Sequence, residues 1–186
     1  MSGAEPKSSR ESEAVALLET SRFRVLRVHE VCRDGSLRPR EVIEHPGSVA
    51  IVPLVDKDHV CLIEVFRRAV GCSLLEIPAG TLDRVESLEE AAARELAEET
   101  GYRAASLEPI GGLWMSPGIL RERMHLFVAS GLQPGPQALE PGEIIQPRVV
   151  AWPEAVAMCR DGRIEDAKTV AALLLTAQRR QPSLLG

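Results

Sequence analysis

Apolar and polar positions alternate, or apolar runs gather β-branched residues, over residues 23–31, 40–45, 48–55 and 60–67, a period of two that predicts strands. Turn residues separate them: Asp34-Gly35 after the first, Pro46-Gly47 before the third, and residues 56–59 linking the third and fourth as a hairpin. A short apolar stretch, 74–77, runs into Pro78-Ala79-Gly80, after which the period lengthens to about 3.6. Residues 87–100 therefore predict a helix, opened by a Ser87/Glu90 capping box and closed by Gly101 in a left-handed cap. Further strands are predicted at 107–113, 123–129 and 147–151. The last two are joined by GLQPGPQALEPGE, long enough to suggest a functional loop. Two helices, 153–160 and 165–178, flank Asp161-Gly162, and no internal repeat is visible. The expected fold class is α/β, a mixed sheet with helices packed on it. Residues 1–20 are expected to be a flexible N-terminal segment, 21–45 a β-rich appendage and 46–182 the main domain.

Composition narrows the function classes. A chain of 186 residues, 45% hydrophobic and 26% charged, has the length of one domain and an ordinary globular balance, which excludes disordered and collagen-like chains. No apolar run approaches the ~20 residues of a membrane span, so no membrane partner is expected. Lys and Arg total 22 against 27 for Asp and Glu, a net charge of −5 with the signs interspersed, and no nucleic-acid footprint emerges. At that charge, a phosphate-rich ligand requires placed arginines or a divalent metal on a carboxylate cluster. Cys32, Cys61, Cys72 and Cys159 form no Cys-x-x-Cys pair and read as free thiols of a reducing compartment. With no signal-peptide pattern in MSGAEPKSSRESE, the expected location is cytoplasmic.

The segment from Gly80 to Tyr102, GTLDRVESLEEAAARELAEETGY, carries the chemistry. Glu95, Glu98 and Glu99 fall at i, i+3 and i+4 and share one helix face, while Ala92 and Leu96 lie on a neighbouring stripe that can face a core. A solvated acidic face would interleave lysines, yet Arg94 is the only basic residue within the helix, and it sits beside the cluster rather than spaced to neutralise all three members. Mg²⁺ favours such carboxylate oxygens and bridges to substrate phosphates. His29, His45, His59 and His125 show neither zinc-site spacing nor a neighbouring nucleophile.

Gly80, Glu86 and the run Arg94-Glu95-Leu96-Ala97-Glu98-Glu99-Thr100-Gly101 resemble the Nudix box, with Tyr102 where the motif prefers an aliphatic residue. Seven fixed identities at ~7% usage each would coincide in on the order of one chain in a million, which decides against chance. The upstream EVFRRAVGCSLLEIPAG and Pro117 in SPG are similar to ADP-ribose pyrophosphatases, as is the tail DGRIEDAKTVAAL. The resemblance implies a Nudix α/β/α sandwich with a mixed β-sheet. It also implies a homodimer built through the N-terminal strands, and Mg²⁺ as cofactor with Mn²⁺ able to substitute. The implied metal ligands are Glu95, Glu98, Glu99, the carbonyl of Ala79 and Glu143; Arg94 would orient the cluster, and Glu86 would support the loop. A general base is implied on the loop before the last strand, with Glu143 favoured over Glu140, and Glu98 stays close to the chemistry. Substrate contacts are implied for Arg67, Glu76, Pro117 and Glu122. Val65 replaces the expected Gln, and Leu120-Arg121 stand where Ser/Thr and Asp/Asn are usual.

For Arg38 or Arg40 two readings stand side by side, a second cation for the substrate or the blunting of an edge strand. With two Trp, one Tyr and three Phe, the platforms for a base are few, Phe23 and Trp114 being the candidates. The expected activity is hydrolysis of the diphosphate bond of a nucleoside diphosphate sugar, with ADP-ribose leading and ADP-glucose, GDP-mannose, NADH or a diadenosine polyphosphate as alternatives. A nucleotide-sugar sensor that binds DNA is the rival from another class, but no basic recognition helix follows the last strand.

Overall fold

The computed structural model describes residues 14–180. They divide into two units: residues 14–46 with Trp114–Glu122, and Gly47–Leu113 with the chain from Arg123 onward.

In the first unit, β1 (Val15–Glu19) pairs antiparallel with β2 (Arg24–Val31), with an irregularity between Ala16 and Leu18. β2 continues antiparallel into β3 (Leu37–Glu44), the register running from Arg24 opposite Glu44 to Val31 opposite Leu37. The turn between them is set by Asp34, whose carboxylate accepts the Ser36 N–H at 2.9 Å, and by Gly35 at φ 82°. Cross-strand ion pairs line the ladder: Arg24 with Glu44, Arg27 with Glu41, and Arg40 with Glu30. β1 lies inside the segment expected to be flexible. The run VALLE has no two-residue alternation, and its strand form comes from pairing with β2. The remainder of that segment, residues 1–13, lies outside the described residues, as do positions 181 and 182 at the end of the expected main domain.

The second unit contains β4 (Ser48–Pro53), β5 (His59–Arg67), β6 (Cys72–Glu76), β7 (Ala79–Thr81), α1 (Leu88–Thr100) and β8 (Tyr102–Arg103). β9 (Ser106–Ser116) and β10 (Leu120–Ser130) pair with each other, and their 114–122 connection belongs to the first unit. There Leu120 and Arg121 run parallel to Ile43 and Glu44. β11 (Gln133–Pro134), β12 (Ile145–Ala151), α2 (Trp152–Asp161) and α3 (Ala167–Arg180) complete the chain.

β4 is parallel to residues 124–129 of β10 and antiparallel to β7, while β12, β5 and β6 form a separate antiparallel sheet. The mixed sheets with packed helices are the expected α/β class. All six residues of β4 are buried. Val49 and Ile51 pack with Ala91, Ala92 and Leu96 of α1 and with Phe127 and Ala129 of β10, while β4 also contacts α3 and β5. A strand covered on both faces reads as a continuous apolar run, which SVAIVP does.

Two local details place the site. Pro78-Ala79-Gly80, where the sequence period changes, was assigned to no element, yet residues 79–81 form a strand because β4 offers them a free edge. Helix α1 starts and stops as its sequence predicts: Ser87 Oγ accepts the Glu90 N–H at 3.2 Å, Glu90 accepts the Ser87 N–H at 2.8 Å, and Gly101 closes the helix at φ 77°.

Candidate active site

Glu95 and Glu99, one turn apart on α1, both lean onto β7. A Cβ at Gly80 would stand 1.9 Å from the Glu95 Cδ and Oε1, so the Glu95 carboxylate occupies the space that only glycine leaves there. One residue earlier in β7, the Ala79 N–H donates to Glu99 Oε2 at 2.9 Å. The two carboxylates thus rest on consecutive residues of the same strand.

Glu98 shares the Arg94 Nη1 donor with Glu95 and also faces Arg84. Its Oε2 accepts from Arg94 Nη1 at 3.0 Å, and its Oε1 lies 3.9 Å from Arg84 Nη1. Arg94 also donates to Glu95 at 2.7 Å and to Glu86 at 2.7 Å. Arg94, expected beside the cluster, spans two of its members, and Arg84, from the loop before α1, adds a cation near Glu98 that the helix sequence alone does not show. Among the described residues no three Asp, Glu, His or Cys side chains already close around one point as a ligand set.

Electrostatics singles out Glu99. Burial pushes its carboxyl up to about 8; the Ala79 N–H opposes the rise, while the charges of Glu95 and Glu143 add to it. Glu95 is also raised, chiefly by burial, against the pull of Arg94. Glu99, a buried carboxylate, and Glu95, a half-buried one, are both raised in proton affinity and form an oxygen-only donor pair that fits a hard divalent cation, which would oppose both shifts.

The loop after β11 is tied to the end of α1. Gln137 Nε2 donates to the Glu99 carbonyl at 2.5 Å and the Ala138 N–H to the Glu98 carbonyl at 3.1 Å, satisfying two of the orphan acceptors of a helix C-terminus. A side chain at Gly101 would meet the Gly135 carbonyl at 2.4 Å, so this glycine also makes room for the loop. Farther along, Glu143 Oε2 accepts the Glu140 N–H at 2.9 Å, and its charge is felt by both Glu95 and Glu99. Glu140 instead faces Arg84 Nη2 at 3.4 Å.

Arg67, at the end of β5, forms a bidentate pair with Glu76, Nε to Oε1 and Nη2 to Oε2, each 2.7 Å. Its charge acts on Glu99 as well. Glu76 Oε2 also accepts from Lys168 Nζ, and Lys168 Nζ lies 2.9 Å from Asp166 Oδ2. Asp166 caps α3 by accepting the Thr169 N–H at 2.9 Å, and Thr169 Oγ1 accepts the Ile77 N–H at 2.9 Å.

The sequence reading missed Lys168, Asp166, Thr169, Arg84 and Gln137 as parts of this region. Asp166-x-x-Thr169 is a legible capping pattern, but the partnership with Glu76 spans 92 residues. Arg38, Arg40, Pro117 and Glu122 belong to the first unit, as do Phe23 and Trp114. There Arg40 pairs with Glu30 at 2.8 Å, and Glu122 Oε1 lies 3.9 Å from His45 Nδ1. The four cysteines are free thiols; Cys61 is buried, its thiol pushed up to about 11 by that burial, whereas Cys72 is exposed. No described helix is long and apolar enough to cross a membrane.

Comparison with known proteins agrees with this geometry. The NUDIX domain family matches residues 44–173. An ADP-ribose pyrophosphatase of Bacillus subtilis is 34% identical over 142 residues, 75% of this chain and 77% of that protein. The ADP compounds hydrolase NudE of Escherichia coli is 35% identical over 167 residues, 85% of this chain and 87% of that protein. A GDP-mannose pyrophosphatase of Yersinia enterocolitica is 36% identical over 145 residues, covering 72% and 75%. The crystal structure of an ADP compounds hydrolase superposes with a TM-score of 0.82 at 26% identity, covering 98% of this chain and 99% of that one. With the acidic pair of α1 laid over Ala79 and Gly80, and the domain match spanning most of its length, the chain belongs to the Nudix hydrolase family and is a Nudix pyrophosphatase.

Proposed function

We propose that this enzyme is a Mg²⁺-dependent hydrolase of the diphosphate bond in nucleoside diphosphate sugars, with ADP-ribose, cleaved to AMP and ribose 5-phosphate, as its leading substrate. The observation that carries the reading is the pair of α1 carboxylates, Glu95 and Glu99, resting on β7, with Glu99 within electrostatic reach of Arg67. Relatives named for ADP-ribose and for ADP compounds support the substrate class.

Glu95, Glu99 and the Ala79 carbonyl would hold Mg²⁺, with Glu98 and Glu143 able to join them and Mn²⁺ able to replace it. When bound, the cation offsets the negative charge that gathers on the diphosphate oxygens. The protein's own groups supply the rest. Glu143 takes a proton from the attacking water as its oxygen bonds to phosphorus, and the bridging P–O bond breaks, leaving a phosphate on each product. Glu140 is less suited to that role, being drawn toward Arg84. Arg67 orients the diphosphate through its planar guanidinium, itself fixed by Glu76.

We place the enzyme in the cytoplasm as a homodimer joined through β1–β3, where Val15, Leu17, Leu18 and Leu37 are exposed. Chromatographic product analysis over ADP-ribose, ADP-glucose, GDP-mannose, NADH and a diadenosine polyphosphate tests the assignment. ADP-ribose should give AMP with the highest kcat/KM. A higher value for GDP-mannose would move the substrate, and absence of any diphosphate cleavage with Mg²⁺ or Mn²⁺ would refute the reading.

A further inference from the structure

Lys168 is a buried lysine in the first turn of α3, a position that the helix dipole disfavours for a cation. A residue that breaks a local rule calls for a compensating role. Its ammonium is held between the carboxylates of Glu76 and Asp166, and Glu76, only 1% exposed, is the same carboxylate that clamps Arg67 from its other side. Arg67 is the outward member of this chain, 43% exposed at its side chain.

We infer that Lys168 is a positioning residue for the diphosphate: by sharing the Glu76 carboxylate, it keeps the Arg67 guanidinium aimed at the substrate with positive charge left to offer. The inference rests on the proposed diphosphate hydrolysis. The charges show why. Glu76 and Asp166 against Arg67 and Lys168 sum to zero, so an arriving phosphate meets a neutral cluster with a guanidinium at its rim. Removing the lysine charge leaves the cluster at −1, and the Arg67 charge is then absorbed by the carboxylate behind it. Asp166 contributes through two bonds at once, fixing Lys168 and capping the helix that carries it. Thr169 locks the same turn to the backbone of Ile77, next to Glu76. Lys168 touches no substrate and acts through Glu76 and Arg67.

Steady-state kinetics on ADP-ribose with Lys168→Met, Arg67→Ala and the double variant test this. Lys168→Met should raise KM about tenfold with kcat changed less than about twofold, the pattern of lost uniform binding. Lys168→Arg should restore part of the loss. In the double variant KM should be no higher than for Arg67→Ala alone, because the lysine acts only through the arginine. If Lys168→Met does not fold, Lys168→Gln, which keeps an N–H donor beside Glu76 but removes the charge, should show the same raised KM. An unchanged KM in whichever variant folds, or additive effects in the double variant, overturns the inference while leaving the functional reading intact. A wild-type protein that hydrolyses no nucleoside diphosphate sugar overturns both.

Discussion

Glu76 and Glu99 are two carboxylates of similar burial, 1% and 7% exposed, at the ends of β6 and α1, and their proton affinities move in opposite directions. For Glu76, burial alone would raise the pKa, but the Arg67 hydrogen bonds and the Lys168 charge outweigh it and leave the group below its ordinary value. For Glu99 the same burial is opposed chiefly by one backbone N–H, and the neighbouring acids reinforce it. One carboxylate is neutralised by the chain's own cations. The other has only the Ala79 N–H and the charge of Arg67 set against its burial, the difference expected between a structural anion and the proposed metal ligand.

The comparison can be broken in several ways. Glu99→Gln should cut kcat by at least ~10³-fold, because an amide is a poor donor to a hard cation, while melting temperature holds or rises as like-charge repulsion is relieved. Retained turnover would show that Glu99 is not a ligand. Glu143→Gln should slow turnover about 10²-fold and flatten the acidic limb of the pH–rate profile, as loss of a general base requires. Gly80→Ala should lower kcat/KM by roughly tenfold to 10²-fold, since the new methyl must displace the Glu95 carboxylate that would lie 1.9 Å from it.

Glu76→Gln should act in the opposite sense to Glu99→Gln on stability, lowering unfolding free energy by about 3 kcal/mol in denaturant titrations, because it leaves a buried lysine short of a partner. The remaining test is a pH dependence. A carboxyl whose folded pKa stands above its unfolded value favours the folded state fully below the unfolded pKa, and the advantage disappears as pH rises. Metal-free protein should thus lose stability as pH climbs from about 4.3 through about 8, while saturating Mg²⁺ removes most of the decline. Parallel melting curves in EDTA and in Mg²⁺ read this directly, and superimposable curves would dissolve the contrast between the two glutamates.

How much of this was legible beforehand depended on the range of the interactions. Helix α1, its capping box and its glycine stop came from the sequence because they are contacts within four residues. The spacing of Glu95 and Glu99 was equally plain, as was the importance of Gly80. Strand β1 was missed and β7 was assigned to no element, because each is short and owes its form to the strand beside it. The division of the acidic trio was also hidden, since it depends on Arg84 and on which way each side chain turns over β7.

The sequence by itself determined the helix, the carboxylates on its face and the family, because local periodicity, capping and fixed spacing are written in consecutive residues. Only the tertiary structure decided which carboxylate receives the chain's cations. Lys168 meets Glu76 across 92 positions, and no nearest-neighbour rule connects residues whose encounter is set by where folding brings the start of α3. Burial acts the same way: whether a glutamate keeps its ordinary acidity or is driven up to about 8 depends on the surroundings that folding assembles around it.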